Sequence, residues 1–239
     1  MASGPTVNLH LIGKQGNGKS ATGNSIVGKR VYRSRSSDSP SKISIPVRLR
    51  GVNFTLYLWD WPGTDGTQEK SKTIAKDLRK VDQEDYQFNI HLFGWVIRYG
   101  ELYGQEEEEF LRFLISELGE DFLRNRTIVI VTCKDNFDRD VEEIQCTFNE
   151  WTDQQTGFFK HLRKKCNDRI LPFDNRSQPL AQTDKLFNLI WTLASNLPKE
   201  VANYQRSGDR HTPSTHKQYP SKLPRLSESD RYSSSLADD

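Results

Sequence analysis

One glycine-rich octet constrains the fold of this chain more than any other stretch. Gly13-Lys14-Gln15-Gly16-Asn17-Gly18-Lys19-Ser20 satisfies G-x-x-x-x-G-K-[ST] in full and follows an apolar run, residues 7–12, that reads as a strand. The spacing has a chemical reason. Glycines let backbone N–H groups curl inward around phosphate oxygens, Lys19 reaches the terminal phosphates, and the Ser20 hydroxyl suits Mg²⁺. A helix is expected to start near Lys19 and aim its positive end at the same phosphates. The expected phosphate contacts are Gly13, Gly16, Asn17, Gly18, Lys19, Ser20 and Ala21. Such a loop needs a strand before it and a helix after it, so it implies an α/β fold and a nucleoside triphosphate ligand.

The rest of the chain alternates in the same way. After the first strand and helix, residues 34–42 are polar and serine-rich and read as a mobile loop. Strands are expected over 43–49 and 54–59, joined by a turn at 50–53, and again over 88–97, 127–131 and 169–173. Helices are expected over 73–81, 106–118 and 184–197, with 141–165 largely helical. The acidic run Glu106-Glu107-Glu108-Glu109 reads as a first helical turn that complements the helix dipole. Strands alternating with helices give a mainly parallel central sheet flanked by helices on both faces. Ligands bind such sheets at the carboxyl ends of the strands. One globular domain is expected over residues 6–198. From residue 199 to 239 Ser, Pro, Arg, Lys and Asp dominate and hydrophobic periodicity stops, which predicts a disordered tail. That tail is open to phosphorylation, to docking, or to no specific role.

Bulk properties narrow the partners. The 239 residues hold 34 basic and 32 acidic side chains, interleaved along the chain, so nothing points to nucleic acid. Cys133, Cys146 and Cys166 match no metal spacing and read as reduced thiols in a cytoplasmic protein. No signal peptide, lipidation motif or membrane-spanning run is recognisable, so membrane contact is expected only peripherally or through a partner.

Two further elements fit a phosphate site. The apolar strand over 54–59 ends in Asp60-Trp61-Pro62-Gly63. An aspartate at a strand tip beside a phosphate loop helps to hold Mg²⁺, and the Gly63 N–H can meet a γ-phosphate. The base-reading element is expected after the strand at 127–131, in Thr132-Cys133-Lys134-Asp135-Asn136. GTPases read guanine with N/T-K-x-D. The register Thr132 to Asp135 keeps the aspartate and loses the lysine. The register Cys133 to Asn136 keeps Lys134 and puts an amide, with one acceptor oxygen, where a carboxylate has two. The second is preferred here because Phe137 then supplies the following apolar residue.

With these parts assembled, the chain resembles the AIG1-type GTPases, the immunity-associated GIMAP or IAN family related to chloroplast import receptors and septins. The segment Gly18-Lys19-Ser20-Ala21-Thr22-Gly23-Asn24-Ser25-Ile26 carries the likeness, together with Asp60-Trp61-Pro62-Gly63 for the family's Asp-Thr-Pro-Gly. Tyr103-Gly104-Gln105-Glu106-Glu107 lies where the family has aromatic-Thr-Glu-Glu, and Val131-Thr132-Cys133-Lys134-Asp135 resembles Phe-Thr-Arg-Lys-Asp. Phe173-Asp174-Asn175-Arg176 resembles Phe-Asn-Asn-Arg. The resemblance implies a P-loop GTPase fold that binds GTP and GDP with Mg²⁺. It also implies GTP-dependent homodimers or oligomers, often beside intracellular membranes. Lys134, Asp135 or Asn136, and Asn175 would contact the base; Ser20 and Asp60 would hold Mg²⁺.

Departures from the family pattern bear on turnover. No threonine lies between Thr22 and Thr55, so Ser41 or Ser44 must serve as the switch ligand, with Ser41 the candidate for the metal. The family's arginine before the aromatic is Leu102, and Thr64 stands where many GTPases carry a water-orienting glutamine. Slow hydrolysis is expected. The alternative is a nucleotide-stabilised scaffold with negligible hydrolysis, and a third reading is an ATP-using P-loop enzyme.

Overall fold

The computed structural model describes residues 6–33, 38–49, 51–84 and 89–196. All of these fall within one compact unit; the expected tail from residue 199, and residues 34–37 of the expected mobile loop, lie outside the described residues. Six strands build one sheet: β1 (Thr6–Ile12), β2 (Ser41–Leu49), β3 (Val52–Asp60), β4 (Asn89–Arg98), β5 (Thr127–Thr132) and β6 (Ile170–Pro172). Their order is β2-β3-β1-β4-β5-β6, parallel throughout except for the β2–β3 hairpin, which turns at Gly51 (φ +80°). Among the described residues there are eight helices: α1 (Lys19–Val27), α2 (Gln68–Glu84), α3 (Gln105–Leu118), α4 (Asp121–Arg126), α5 (Lys134–Ile144), α6 (Phe148–Gln154), α7 (Gly157–Lys165) and α8 (Leu180–Asn196).

Period-two alternation sends each strand's side chains to two separate cores. Val7, Leu9 and Leu11 of β1, Leu56 and Leu58 of β3 and Ile128 and Ile130 of β5 pack with Ile26 of α1 and with Leu186 and Ile190 of α8. On the opposite face Ile12, Phe93, Trp95, Ile97, Val129 and Val131 meet Ile74 and Leu78 of α2, Phe110 and Leu114 of α3, and Phe158 and Leu162 of α7. Both sheet faces are therefore covered by helices, and the strand ends are left to bind.

Two expectations are refined. Residues 141–165 are largely helical as expected, but the helical stretch starts at Lys134 and is divided into three helices. Gln145 takes a left-handed backbone (φ +46°) that ends α5, and Thr147 with Glu150 builds a capping box that starts α6. Gly119 stops α3, and the short α4 follows. Helix α2 is also longer than the expected 73–81. Asp65 and Thr67 open it by accepting the backbone N–H groups of Thr67 and Lys70, and its buried stripe of Ser71, Ile74, Ala75 and Leu78 begins earlier.

Candidate functional site

Beyond Ile12 the chain leaves β1 and curls over the sheet end. Gly13 has φ +136°, and a Cβ there would sit 2.4 Å from the Val96 carbonyl, so only glycine lets the loop pass over β4. The loop is fastened on three sides. Gln15 N donates to Thr64 O (2.9 Å) and Thr64 N to Gly13 O (3.3 Å), on the β3 side. Asn17 Nδ2 donates to Val96 O at 3.0 Å on β4, and Thr132 Oγ1 donates to Asn17 O at 2.7 Å on β5. Gly16 and Gly18 take positive φ, and α1 begins at Lys19. Lys19 is buried, and its Nζ donates to the carbonyls of Gly13 (3.1 Å) and Lys14 (3.0 Å). Burial pulls its pKa down to about 8 against the opposing pull of Asp60. A buried ammonium hydrogen-bonded to carbonyl dipoles is a strong electrostatic site for an anionic ligand.

Ser20, on the first turn of α1, donates its hydroxyl to Asp60 Oδ2 at 2.6 Å, and Asp60 is the last residue of β3. The second carboxylate oxygen, Oδ1, is buried with no hydrogen-bond partner in the structure. Burial raises the Asp60 pKa, while Ser20 and then Lys19 work to lower it. An orphaned carboxylate oxygen beside a hydroxyl is a hard-oxygen donor set, and it fits Mg²⁺. Ser41 faces Asp60 across the β2–β3 ladder and is exposed. Gly63 closes in from above: a Cβ there would lie 2.5 Å from Gln15 N and 2.7 Å from Lys19 Nζ, so its backbone borders the lysine. The strand tip is anchored from below by Trp61, whose N donates to Leu11 O and whose Nε1 donates to His10 Nδ1 at 3.0 Å. Burial keeps His10 neutral, so its remaining proton is on Nε2, 3.0 Å from His91 Nδ1.

The candidate base side lies where β5 and β6 end. Cys133 takes a left-handed backbone (φ +60°) and leads into α5, whose first N–H, from Lys134, donates to Phe173 O at 3.2 Å. The turn after Phe173 is shaped by Asp174, which accepts the N–H groups of Arg176 (2.7 Å) and Ser177 (3.1 Å). Gln182 of α8 grips the backbone of Asp174 through both ends of its amide, at 2.8 and 2.9 Å. Asn175 thereby lands on α1, where Ser25 Oγ donates to its Oδ1 at 2.8 Å and its Nδ2 donates to Thr22 Oγ1 at 3.2 Å. It stands beside Gly18 at the end of the phosphate loop.

The two base-reading registers separate by geometry. Asp135 reaches away from its helix to the loop bearing Asn175, with Oδ2 3.3 Å from Arg176 Nη1. Asn136 instead accepts from Arg139 along the same helix, and Lys134 pairs with Asp138 one turn on. Thr132, the first residue of the Thr132–Asp135 register, is the one tied to the phosphate loop. These contacts distinguish the two side chains without assigning either of them to a base.

The structure thus brings Gly13, Gly16, Asn17, Gly18, Lys19, Ser20, Ala21, Asp60 and Gly63 together at the ends of β1 and β3. Asp135 and Asn175 stand at the neighbouring ends of β5 and β6. Sequence reasoning did not find Thr132 as a tether of the phosphate loop, Gln182 as the brace behind Asp174, or Thr22 and Ser25 as partners of Asn175. A signal existed only for the last pair, which sit three apart on one helix face.

A model of the AIG1 family matches residues 7–220. Among curated proteins, Immune-associated nucleotide-binding protein 9 of Arabidopsis thaliana is 30% identical over 209 residues, covering 79% of this chain and 55% of that protein. Immune-associated nucleotide-binding protein 4 of the same organism is 29% identical over 181 residues, covering 74% and 53%. GTPase IMAP family member 8 of Rattus norvegicus is 23% identical, covering 87% of this chain and 29% of that protein. The chain spans about half the length of the plant relatives it matches. Among solved structures, Toc33 from Arabidopsis thaliana in complex with GDP and Mg²⁺ superposes with a TM-score of 0.53 at 18% identity, covering 80% of this chain and 85% of that one. Translation elongation factor SelB from Methanococcus maripaludis, in complex with a GTP analogue, also gives 0.53 at 18% identity, covering 82% and 35%. The shared architecture is the P-loop GTPase fold.

Proposed function

The chain belongs to the AIG1 family, and from that premise we propose that it binds GTP and GDP with Mg²⁺ at the ends of β1, β3, β5 and β6. The observation that carries this reading is the Ser20–Asp60 contact, with one buried carboxylate oxygen left for a metal, beside the buried ammonium of Lys19. Lys19 would hold the β- and γ-phosphates, with the backbone of Gly13 and of Gly16 to Ala21 around them. Ser20 and Asp60 would hold Mg²⁺, with Ser41 as the candidate third oxygen, and the bound ion would offset phosphate charge. The Gly63 N–H would meet the γ-phosphate. Asp135 would accept two guanine N–H groups, with Asn175 closing the pocket from α1.

Turnover on this reading is slow. Thr64 is buried and its backbone is committed to the phosphate loop, so its side chain cannot take the place of a water-orienting glutamine. Leu102 is 94% exposed and carries no charge to lend to a neighbouring copy's phosphates. Those two residues are also what favours the second reading, a nucleotide-stabilised scaffold without useful hydrolysis. Self-association in the GTP state and a cytoplasmic setting, peripheral to membranes, belong to the proposal. Self-association is supported by family likeness and by a Toc33 mutant described as dimerization deficient, the setting by family likeness alone. No described helix is long and apolar enough to cross a membrane.

Calorimetric titration with GDP and GMPPNP tests the binding claim. Lys19→Ala is expected to weaken both by at least about a hundredfold, in line with loss of a buried charge-assisted contact; unchanged affinity sinks the proposal. Single-turnover hydrolysis across a range of protein concentrations separates the two readings. A rate that climbs with concentration supports a self-activating GTPase, and a flat, negligible rate supports the scaffold.

A further inference from the structure

Lys14, the second residue of the phosphate loop, does not face solvent alone. Its Nζ lies 3.1 Å from Glu106 Oε2 and 3.8 Å from Glu107 Oε1, both on the first turn of α3. Glu107 is 6% exposed; its Oε2 accepts the Gly104 N–H at 2.9 Å, and its Oε1 is buried without a hydrogen-bond partner in the structure, so Lys14 is the cation it faces. The other oxygen of Glu106 rests on Gly66: a Cβ there would come within 2.5 Å of it. Gly66 has φ +86° and lies three residues past Gly63, while Thr64, between them, forms a bridge with Lys14. One carboxylate therefore reaches both the loop after β1, at Lys14, and the loop after β3, at Gly66.

We propose that Glu106 is a specificity-determining residue that biases this site toward the nucleoside diphosphate and couples the phosphate loop to the loop after β3. The inference rests on the nucleotide-binding reading above. Two carboxylates on one ammonium leave a local excess of negative charge. A triphosphate adds roughly one further negative charge on the Lys19–Gly63 side, so the same carboxylates repel it more than they repel a diphosphate. Lys14 in turn is held in its charged form by this contact, its pKa raised chiefly by the hydrogen bond with Glu106. Helix-dipole complementarity alone explains acidic residues at this turn but not their contact with two loops from other strands.

The test is the ratio of GDP to GMPPNP dissociation constants, measured by titration on the full chain at low and high salt. Glu106→Gln is expected to shift that ratio toward GMPPNP by roughly fivefold to twentyfold at low salt, and by less at high salt. Lys14→Met, which strands both carboxylates, is expected to shift it the opposite way, and Glu106→Asp to keep the wild-type ratio. Glu106 is half-exposed, so its variants should fold, and a melting curve checks this. A ratio unmoved in Glu106→Gln and Lys14→Met, with GDP still bound, overturns this proposal and leaves the nucleotide-binding reading standing. Wild-type protein that binds neither nucleotide overturns both.

Discussion

Lys19 sits in an environment that would make the proposed phosphate binding a proton-linked event. Burial lowers its pKa to about 8, and the anionic phosphates would restore the charged form, raising the pKa in the complex. The sign follows: the complex holds more protons than the free protein above pH 8, so affinity falls as pH rises through that value. Nucleotide binding is expected to be about tenfold weaker at pH 9 than at pH 7, with proton uptake visible in buffers of different ionisation heat. Equal heats in all buffers at pH 8 would count against it. Asp60 shows the same pressure from the other side, since burial favours its neutral form until a cation arrives. These residues were legible in the sequence because backbone geometry and metal chemistry fix their spacing. Thr132 was not, since its role is a hydrogen bond to Asn17 across 115 positions.

Helix α1 is a clip as much as a dipole. Asn24 Oδ1 accepts the N–H groups of Val31 and Tyr32, both at 2.8 Å, and its Nδ2 donates to Tyr32 O at 3.0 Å. Gly23 makes room for the Tyr32 ring, which would stand 2.7 Å from a Cβ there, and the Tyr32 hydroxyl donates to Leu58 O on β3. The Thr22-Gly23-Asn24-Ser25 signature therefore divides its work: the outer pair holds Asn175 and the inner pair holds Tyr32. Asn24→Ala is expected to cost roughly 2–3 kcal/mol, since two backbone donors lose their acceptor. Urea unfolding with an unchanged m-value would show it; a loss under about half a kcal/mol would mean water replaces the amide freely. At this scale the sequence read well where apolar periodicity was strong, as in β1, β3, β5 and α3. It read poorly where breaks are conformational. The split of residues 134–165 depends on a left-handed Gln145 and a capping box, both local events inside a run that is helical on either side.

For the molecule as a whole, the binding face draws on five segments that meet only at the sheet's edge of strand ends, and ligand binding should therefore report on global stability. With GDP and Mg²⁺ at about a hundred times the dissociation constant, mass action adds about 2.7 kcal/mol. That corresponds to a rise of roughly 5–10 °C in the unfolding midpoint for a domain of this size. Chelation with EDTA is expected to remove a measurable share of the gain, because Ser20 and Asp60 would lose their shared cation. A midpoint indifferent to EDTA would place the metal elsewhere or nowhere. The family and the fold were legible at this scale because motifs recur in a fixed order along the chain. The contacts that distinguish Asp135 from Asn136 were not, since they depend on which side chain leaves its helix. The brace between Asn175 and α1 has one further consequence. It joins residues 150 and 153 positions apart, and its turn is held in place by Gln182 of α8. During synthesis the phosphate motif leaves the ribosome before α8, but the Asn175 turn cannot be set until α8 has emerged. On the proposed reading, a nascent chain should therefore gain its grip on nucleotide abruptly, as α8 docks.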